Sequence, residues 1–357
     1  MDTLNEVKKY YGTHINTTDD LKTDACCTIN KYPQNILKLL NNINNEILST
    51  YYGCGLTIPD CLDNCNILDL GCGTGRDIYL LSQLVSENGS VIGIDMTKEQ
   101  LEIANRWKEW HMAKFNYKKT NVEFKEGYIE YLDKLNILDN SIDIVISNCV
   151  INLSPNKRRI LKQIYRVLKT GGEFYFSDIY SSKRIPDYLK NDSVLWGECL
   201  SGALYWNDFL NLAKECGFKD IRLVKYNKIN IKNNKLEEKL NMIDFYSATY
   251  RLFKLPELLE SDCEDYGQAV IYKGTIENHK HFWELDSHHK MYTNKVFPVC
   301  GNTWNMLKET RFKNHFEFIG NFDTHYGIFS GCGKNMPFHS NNQSDSNLNS
   351  NPNSNCC

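Results

Sequence analysis

The sequence is short of every feature that would place it in a membrane or on nucleic acid. No apolar run approaches the roughly 20 residues of a bilayer-spanning helix. The opening MDTLNEVKKYYG also lacks the apolar stretch of a secretory leader, so a cytoplasmic protein is expected. Like-charged blocks are missing too: 41 basic against 44 acidic residues leave a net charge of -3 and no basic stripe for nucleic acid or an acidic lipid surface. No internal repeat occurs, and no Walker-type lysine follows the glycine-rich stretch, so phosphate binding is not indicated. What the chain has in quantity is cysteine, 14 residues in 357. In a reducing compartment these do not form a disulfide framework; they read as core residues, metal or metalloid ligands, or redox groups.

The length suggests two folded units, or one domain with large appendages. Pro33 opens an expected helix in which Ile36, Leu40, Ile43 and Ile47 recur at helical spacing, with Gly53 and Gly55 ending it. From CNILDLGCGTGRD to GGEFYFSDIY, short apolar runs alternate with helical segments, which predicts an α/β fold with a doubly wound parallel sheet. Its strands are expected at 66–70, 91–95, 121–125, 142–147 and 172–178. Five segments follow from these patterns: an N-terminal helical part (1–59), a Rossmann-like domain (60–185), a region that contains the stretch VLWGECLSGALYW (186–265), a small α+β domain (266–338) and a low-complexity Asn/Ser tail (339–357). Asn- and Lys-rich connections are expected near 227–236 and 277–295.

ILDLGCGTGRD puts Asp69, Gly71, Gly73 and Gly75 between an apolar strand and a helix. Alone this is a weak signal, compatible with a dinucleotide fingerprint or a structural turn. The next strand ends in Asp95, whose carboxylate is suited to accept from both hydroxyls of a ribose. Together with LKTGGEFYFSD, these features make residues 60–180 resemble the class I methyltransferases that use S-adenosylmethionine. The resemblance implies that Asp69 and the glycines approach the methionine and ribose moieties, that Met96 covers an adenine face, and that Gly127, Tyr128 and Ile129 lie along the adenine. A degenerate domain without cofactor is the bland alternative.

Position relative to the sheet sorts the cysteines. Cys149 falls just beyond the fourth strand, at the edge where open α/β sheets bind ligands, and so faces the methyl donor. Cys199, flanked by Gly197 and Gly202, comes from a segment able to fold over the cleft, and Cys54 arrives on the loop before the first strand. Asn148 is placed to orient the cofactor or the ligand loop through its amide. Three thiols at one methyl donor suit a soft centre such as As(III), which prefers sulfur to oxygen or nitrogen. Arsenic held by three sulfurs keeps a lone pair for in-line attack, and no general base is needed.

TDACC, YYGCGLTIP, ILDLGCGTGRD, ISNCVINL and VLWGECLSGALYW carry a closer resemblance, to the arsenite methyltransferases, over most of residues 5–275. It implies methylation of trivalent arsenic to mono- and dimethylated arsenicals, a detoxification. Cys149 and Cys199 are then the persistent ligands and Cys54 the third, with residues 186–265 as the arsenic-binding region. Tyr52 lines the cofactor pocket, and Cys26 is the cysteine able to pair with Cys54, although Cys27 stands beside it. Thioredoxin or glutathione is the implied reductant of that disulfide, and no metal ion cofactor is implied. Two other readings stay open: a methyltransferase for an organic small molecule such as a quinone or sterol precursor, and a non-enzymatic arsenical-binding protein.

The remaining candidates have plainer readings. Cys61 and Cys65 show a zinc-like spacing without a second pair. Cys72 and Cys216 read as packing residues, and Cys263, Cys300 and Cys332 as ordinary members of the C-terminal region. Cys356 and Cys357 end the tail. The nine histidines, His281, His288 and His289 among them, are expected at the solvated surface. Glu198 is placed either to assist proton loss beside Cys199 or to serve at the surface.

Overall fold

The runs NILDL, SVIGID, VEFKE and IDIVISN each carry β-branched residues, most in the second and fourth, and form β1 (Asn66–Leu70), β2 (Ser90–Asp95), β3 (Val122–Glu126) and β4 (Ile142–Asn148). These come from a computed structural model that describes residues 32–50, 55–190, 195–196, 199–231, 238–240 and 242–332. β5 (Leu168–Ser181), β6 (Leu204–Tyr205), β7 (Ile221–Lys228) and β8 (Phe245–Phe253) complete an eight-stranded sheet. Its order is β3-β2-β1-β4-β5-β8-β7, with β6 paired to β5. β1 to β5 run parallel and β8 returns antiparallel along β5. The chain steps outward from β1 to β3 and then comes back to β4 on the other side of β1. Such a reversal opens a crevice at the carboxyl ends of the strands. This is the Rossmann-like α/β arrangement that the alternating pattern predicts.

Helices α1 (Gln34–Leu40), α2 (Asn45–Ser49), α3 (Arg76–Leu84), α4 (Lys98–Arg106), α5 (Lys108–Phe115), α6 (Lys157–Val167), α7 (Asp187–Lys190) and α8 (Trp206–Glu215) accompany the sheet. The single helix expected after Pro33 is therefore two. Asn44 is extended and its side chain accepts from the N–H of Glu46, so it restarts the helix as an N-cap. Ile36, Ile43 and Ile47 are buried on both sides of the break. The histidine expectation also needs correcting. His111 on α5 is fully buried, stacks on Tyr79 with ring centroids 3.7 Å apart, and accepts from the N–H of Asn44 at 3.2 Å. Burial pulls its pKa down to about 4 against the raising effect of its bond to the Trp107 carbonyl, so the ring is neutral and fastens the N-terminal helices to the sheet domain.

The chain divides into two compact units, Met1–Phe218 with Leu223–Lys254, and Lys219–Arg222 with Leu255–Cys357. In the second, β10 (Gln268–Tyr272) is the middle of a three-stranded antiparallel sheet with β13 (Val296–Val299) and β14 (Phe316–Ile319). Between them, residues 277–295 do not form the polar connection expected. They contain a hairpin of β11 (Phe282–Glu284) and β12 (Lys290–Tyr292). Trp283, Leu285 and Met291 are fully buried while Glu284 and Lys290 face outward, a period-2 pattern hidden by the surrounding Lys, His and Asn. β9 (Glu264–Asp265) pairs with β15 (Gly327–Ile328), and α9 (Gly301–Lys308) packs against the unit's sheet. Among the described residues no helix is long and apolar enough to cross a membrane.

Candidate active site

The crevice at the carboxyl ends of β1, β2 and β4 encloses about 1120 Å³, its open mouth included, a size suited to a cofactor. Asp69, Gly71, Gly73, Asp95, Met96, Gly127, Tyr128, Ile129, Asn148 and Cys149 all line it. Gly75 stands outside as the N-cap of α3. Tyr52, Cys54 and Cys26 lie outside the described residues, as do Cys27, Glu198, Cys356 and Cys357.

Asp95 organises the crevice. One carboxylate oxygen accepts from the N–H of Gly73 at 2.9 Å and the other from that of Thr97 at 2.8 Å, joining the turn after β1 to the start of α4. The Thr97 side chain and the Met96 N–H also bond to this carboxylate. Gly73 has φ +54, and a Cβ there would meet only the Gln100 side chain, at 3.8 Å; the turn thus leaves an open cradle beside Asp95. Burial raises the pKa of Asp95 despite these bonds. Burial also raises that of Asp69 well above the usual carboxylate range, with Asp77 and Asp95 adding to the effect and Arg76 opposing it. Clustered buried carboxyls favour a ligand that brings positive charge, and S-adenosylmethionine brings a sulfonium and an ammonium. The residues present fit that cofactor.

Cys149 and Cys199, 50 positions apart, meet at one edge of the crevice. The Cys199 thiol donates to the backbone carbonyl of Cys149 at 3.3 Å, and both residues are buried. Both also have left-handed backbones, with φ +55 and +61. For a residue with a Cβ this costs about 1–2 kcal/mol. It persists here because the Cys149 N–H is held by the Ser177 carbonyl on β5 at 2.9 Å and that of Cys199 by the Trp196 carbonyl at 3.0 Å. Strain held in place by its surroundings in this way gathers at functional sites. Cys149 is disulfide-bonded, whereas the other described cysteines hold reduced thiols. Asn148 donates its amide to the carbonyl of Gly55 at 2.9 Å, so the chain that follows residues 51–54 starts beside Cys149.

Under this pair lies a polar network absent from the sequence-based expectations. Asp178 on β5 accepts from the N–H of Asn152 at 3.0 Å, from its side-chain amide at 2.7 Å and from the N–H of Ile179 at 2.8 Å. Burial pushes its pKa up to about 6 against these bonds and against Lys157. Lys157 donates to the carbonyls of Asn152 at 3.2 Å and Ser154 at 2.9 Å. Burial lowers its pKa to about 8, opposed by Asp178, Cys199 and Glu130. The signal available in the sequence was a carboxylate just beyond the aromatic run FYF of a central strand, since a charge in such a place requires partners. Among the other thiols, Cys65, Cys72 and Cys216 are buried packing residues. No group of three or more His, Cys, Asp or Glu among the described residues is arranged to hold a metal ion.

Residues 62–217 match a family described as a methyltransferase domain, and residues 266–357 match the arsenite methyltransferase C-terminal domain. An arsenite methyltransferase of Aquipseudomonas alcaligenes is 53% identical over 93% of this chain and 95% of its own length. The chain belongs to the arsenite methyltransferase family. Its relative from Rattus norvegicus is 46% identical over 88% of this chain and 84% of its own length. The crystal structure of an arsenic(III) S-adenosylmethionine methyltransferase from Chlamydomonas reinhardtii superposes with a TM-score of 0.81 at 46% identity, covering 84% of this chain and all of that one. Both family regions therefore occur here in one chain, each wholly within its own unit.

Proposed function

We propose that this chain transfers methyl groups from S-adenosylmethionine to As(III) held by Cys149 and Cys199, the activity of its family, giving mono- and dimethylated arsenicals. The observation that carries the reading is the contact of the Cys199 thiol with the Cys149 carbonyl, at the edge of the crevice that Asp69, Gly73 and Asp95 line. S-Adenosylmethionine supplies an electrophilic methyl group on a sulfonium. Asp95 and the Gly73 turn bind its nucleoside part, while the carboxyl of Asp69 favours its positive end. Tyr52 and Asn148 complete that pocket in this reading. The two left-handed cysteines orient their sulfurs toward one substrate atom, and soft arsenic takes thiolate ligands in preference to water. Because arsenic attacks through a lone pair, the protein has no proton to remove at that step.

Cys54 serves as the third ligand for inorganic arsenite, and Cys26 closes a disulfide with Cys54 as the arsenic returns from As(V) to As(III). Two thiols supply the two electrons and release two protons. Thioredoxin or glutathione then reopens the disulfide, which a cytoplasmic location provides for. The disulfide at Cys149 supports this need for reductant, since that sulfur must be freed before it can bind arsenic.

The test is arsenic methylation with labelled cofactor under thiol reductant. Cys149→Ser and Cys199→Ser should each lose methylation while retaining cofactor binding; full methylation by either variant overturns the ligand assignment. Cys26→Ser and Cys54→Ser should lose inorganic arsenite far more than the monomethylated substrate, which needs only two thiols.

A further inference from the structure

The second unit holds its own cluster of sulfur and charge. Cys300 is the N-cap of α9: its sulfur accepts from the N–H of Thr303 at 3.5 Å, lies 3.4 Å from the Thr303 hydroxyl, and accepts from a guanidinium N–H of Arg222 at 3.9 Å. The side chain of Cys263, just before β9, hydrogen-bonds to the same sulfur. Both cysteines are reduced and buried, Cys300 at 2% and Cys263 at 7% exposure. Arg222 cannot swing away. It makes two bonds to Asp220, at 2.8 and 2.7 Å, and one to Asp286 at 3.2 Å, while Asp286 also contacts His289 at 2.7 Å. Asn302 donates at 3.0 Å to an Asp220 oxygen that also accepts from Arg222.

This setting prepares one sulfur as a nucleophile and keeps a second in contact with it. The bond from Cys263 is the main influence drawing the Cys300 pKa down to about 5; burial opposes it, and Arg222 and Thr303 assist. A buried thiolate carries a standing desolvation cost. Binding to a thiophilic centre relieves that cost, because the sulfur then carries no net charge.

We propose that Cys263 and Cys300 form a dithiol site that captures a trivalent arsenical bearing one organic substituent, distinct from the Cys149 and Cys199 pair. Two sulfurs satisfy two arsenic valences and leave the third for carbon. Capture condenses an organoarsonous acid, R–As(OH)₂, with the two thiols. Two As–S bonds form, two As–O bonds break and two waters leave, with arsenic remaining As(III) and no electron transferred. The identity of R as methyl rests on the proposed function, since the monomethylated product has this valence pattern; the dithiol chemistry does not.

The experiment uses the full-length protein carrying Cys149→Ser and Cys199→Ser. Phenylarsine oxide is added, unreacted thiols are alkylated with N-ethylmaleimide after unfolding, and the peptides are mapped. Cys263 and Cys300 should both escape alkylation. Adding Cys263→Ser or Cys300→Ser should lower the number of phenylarsenic adducts by one, as read by intact mass. Serine at 300 keeps an N-cap acceptor, and Cys263→Ser leaves that cap untouched, so one of the two reads the result in a folded protein, as checked by circular dichroism. Full alkylation of both cysteines after phenylarsine oxide, or an undiminished adduct count in either serine variant, overturns the proposal. Arsenite methylation by the unmodified chain is measured separately; its absence would count against the proposed function and leave the adduct result standing.

Discussion

Replacing Gly202 by alanine probes how closely the Cys199 segment is pressed against the chain that follows β4. A Cβ at position 202 would stand 2.2 Å from the carbonyl oxygen of Asn152 and 3.1 Å from its carbon. Ordinary contact begins at 3.4 Å, so the two backbones must part by about 1.2 Å, the difference between 3.4 and 2.2. Asn152 has little room to yield. Its N–H and its side-chain amide are bonded to Asp178, and the amide also reaches the Ile179 carbonyl at 2.6 Å. The turn at 199–203 must move instead, taking the Cys199 sulfur away from Cys149. Overpacking of this kind costs about 1–3 kcal/mol of stability. A shift of about 1 Å at a reacting centre costs on the order of 100-fold in rate. Gly202 does not line the crevice, so the affinity for S-adenosylmethionine, measured calorimetrically, should not change. The decisive readout is the initial rate of arsenite methylation at saturating cofactor. A Gly202→Ala protein with an unimpaired rate and a lowered melting temperature would refute the idea that this approach positions Cys199.

Three further outcomes are expected. Between pH 6.5 and about 4 the unfolded chain protonates His111 while the folded chain resists, so stability is lost as pH falls through that window, by about 2–3 kcal/mol in all. Urea titrations at pH 7 and pH 4.5 should show a smaller difference for His111→Gln; an unchanged difference would count against the buried neutral ring. Asp95→Ala releases the N–H groups of Gly73 and Thr97 together with the ligand contacts, and losing two charge-assisted bonds at about 1.5–3 kcal/mol each should weaken cofactor affinity by 100-fold or more, roughly, by equilibrium dialysis. Asp178→Asn leaves a single acceptor oxygen for the Asn152 and Ile179 donors, and should destabilise the protein by about 2–4 kcal/mol in chemical denaturation. Its arsenite methylation should fall more than its cofactor binding; equal losses would argue for a purely structural role.

The first five strands could be read from the sequence because short runs with apolar, β-branched or aromatic residues alternate with helical segments and turns, and the observed ends agree closely except for the longer β5. The glycine turn and Asp95 were legible for a related reason, since a cofactor loop is local in sequence. Interactions between distant segments were not. The break at Asn44 depends on a side-chain cap that competes with a favourable helical period. The β11–β12 hairpin buries its apolar residues singly among charges, so the alternation fell below notice. His111 looks like any surface histidine until Tyr79 and Asn44 close over it. Cys263 bonds directly to Cys300, and Arg222 reaches Cys300 from another part of the chain; no spacing rule links three such positions. Likewise the position of Cys199 beyond the sheet suggested its approach to Cys149, whereas the left-handed backbone that both share depends on carbonyls of Ser177 and Trp196.

The reach of β5 has a consequence for how such a protein can change its chemistry. Its pairing with β4 ends at Ser177, but the strand runs on to Ser181, with Tyr180 paired to Leu204 of β6 and Asp178 gripping Asn152. This end, still paired to β8, is a rail on which the substrate loops are mounted, while the cofactor turns are anchored to the other strands. Segments fastened to the rail can be exchanged without disturbing the cofactor half. One methyl-donor scaffold can thus be fitted to a different acceptor atom by rebuilding a few residues where β5 has outrun β4 and pairs only with β6 and β8.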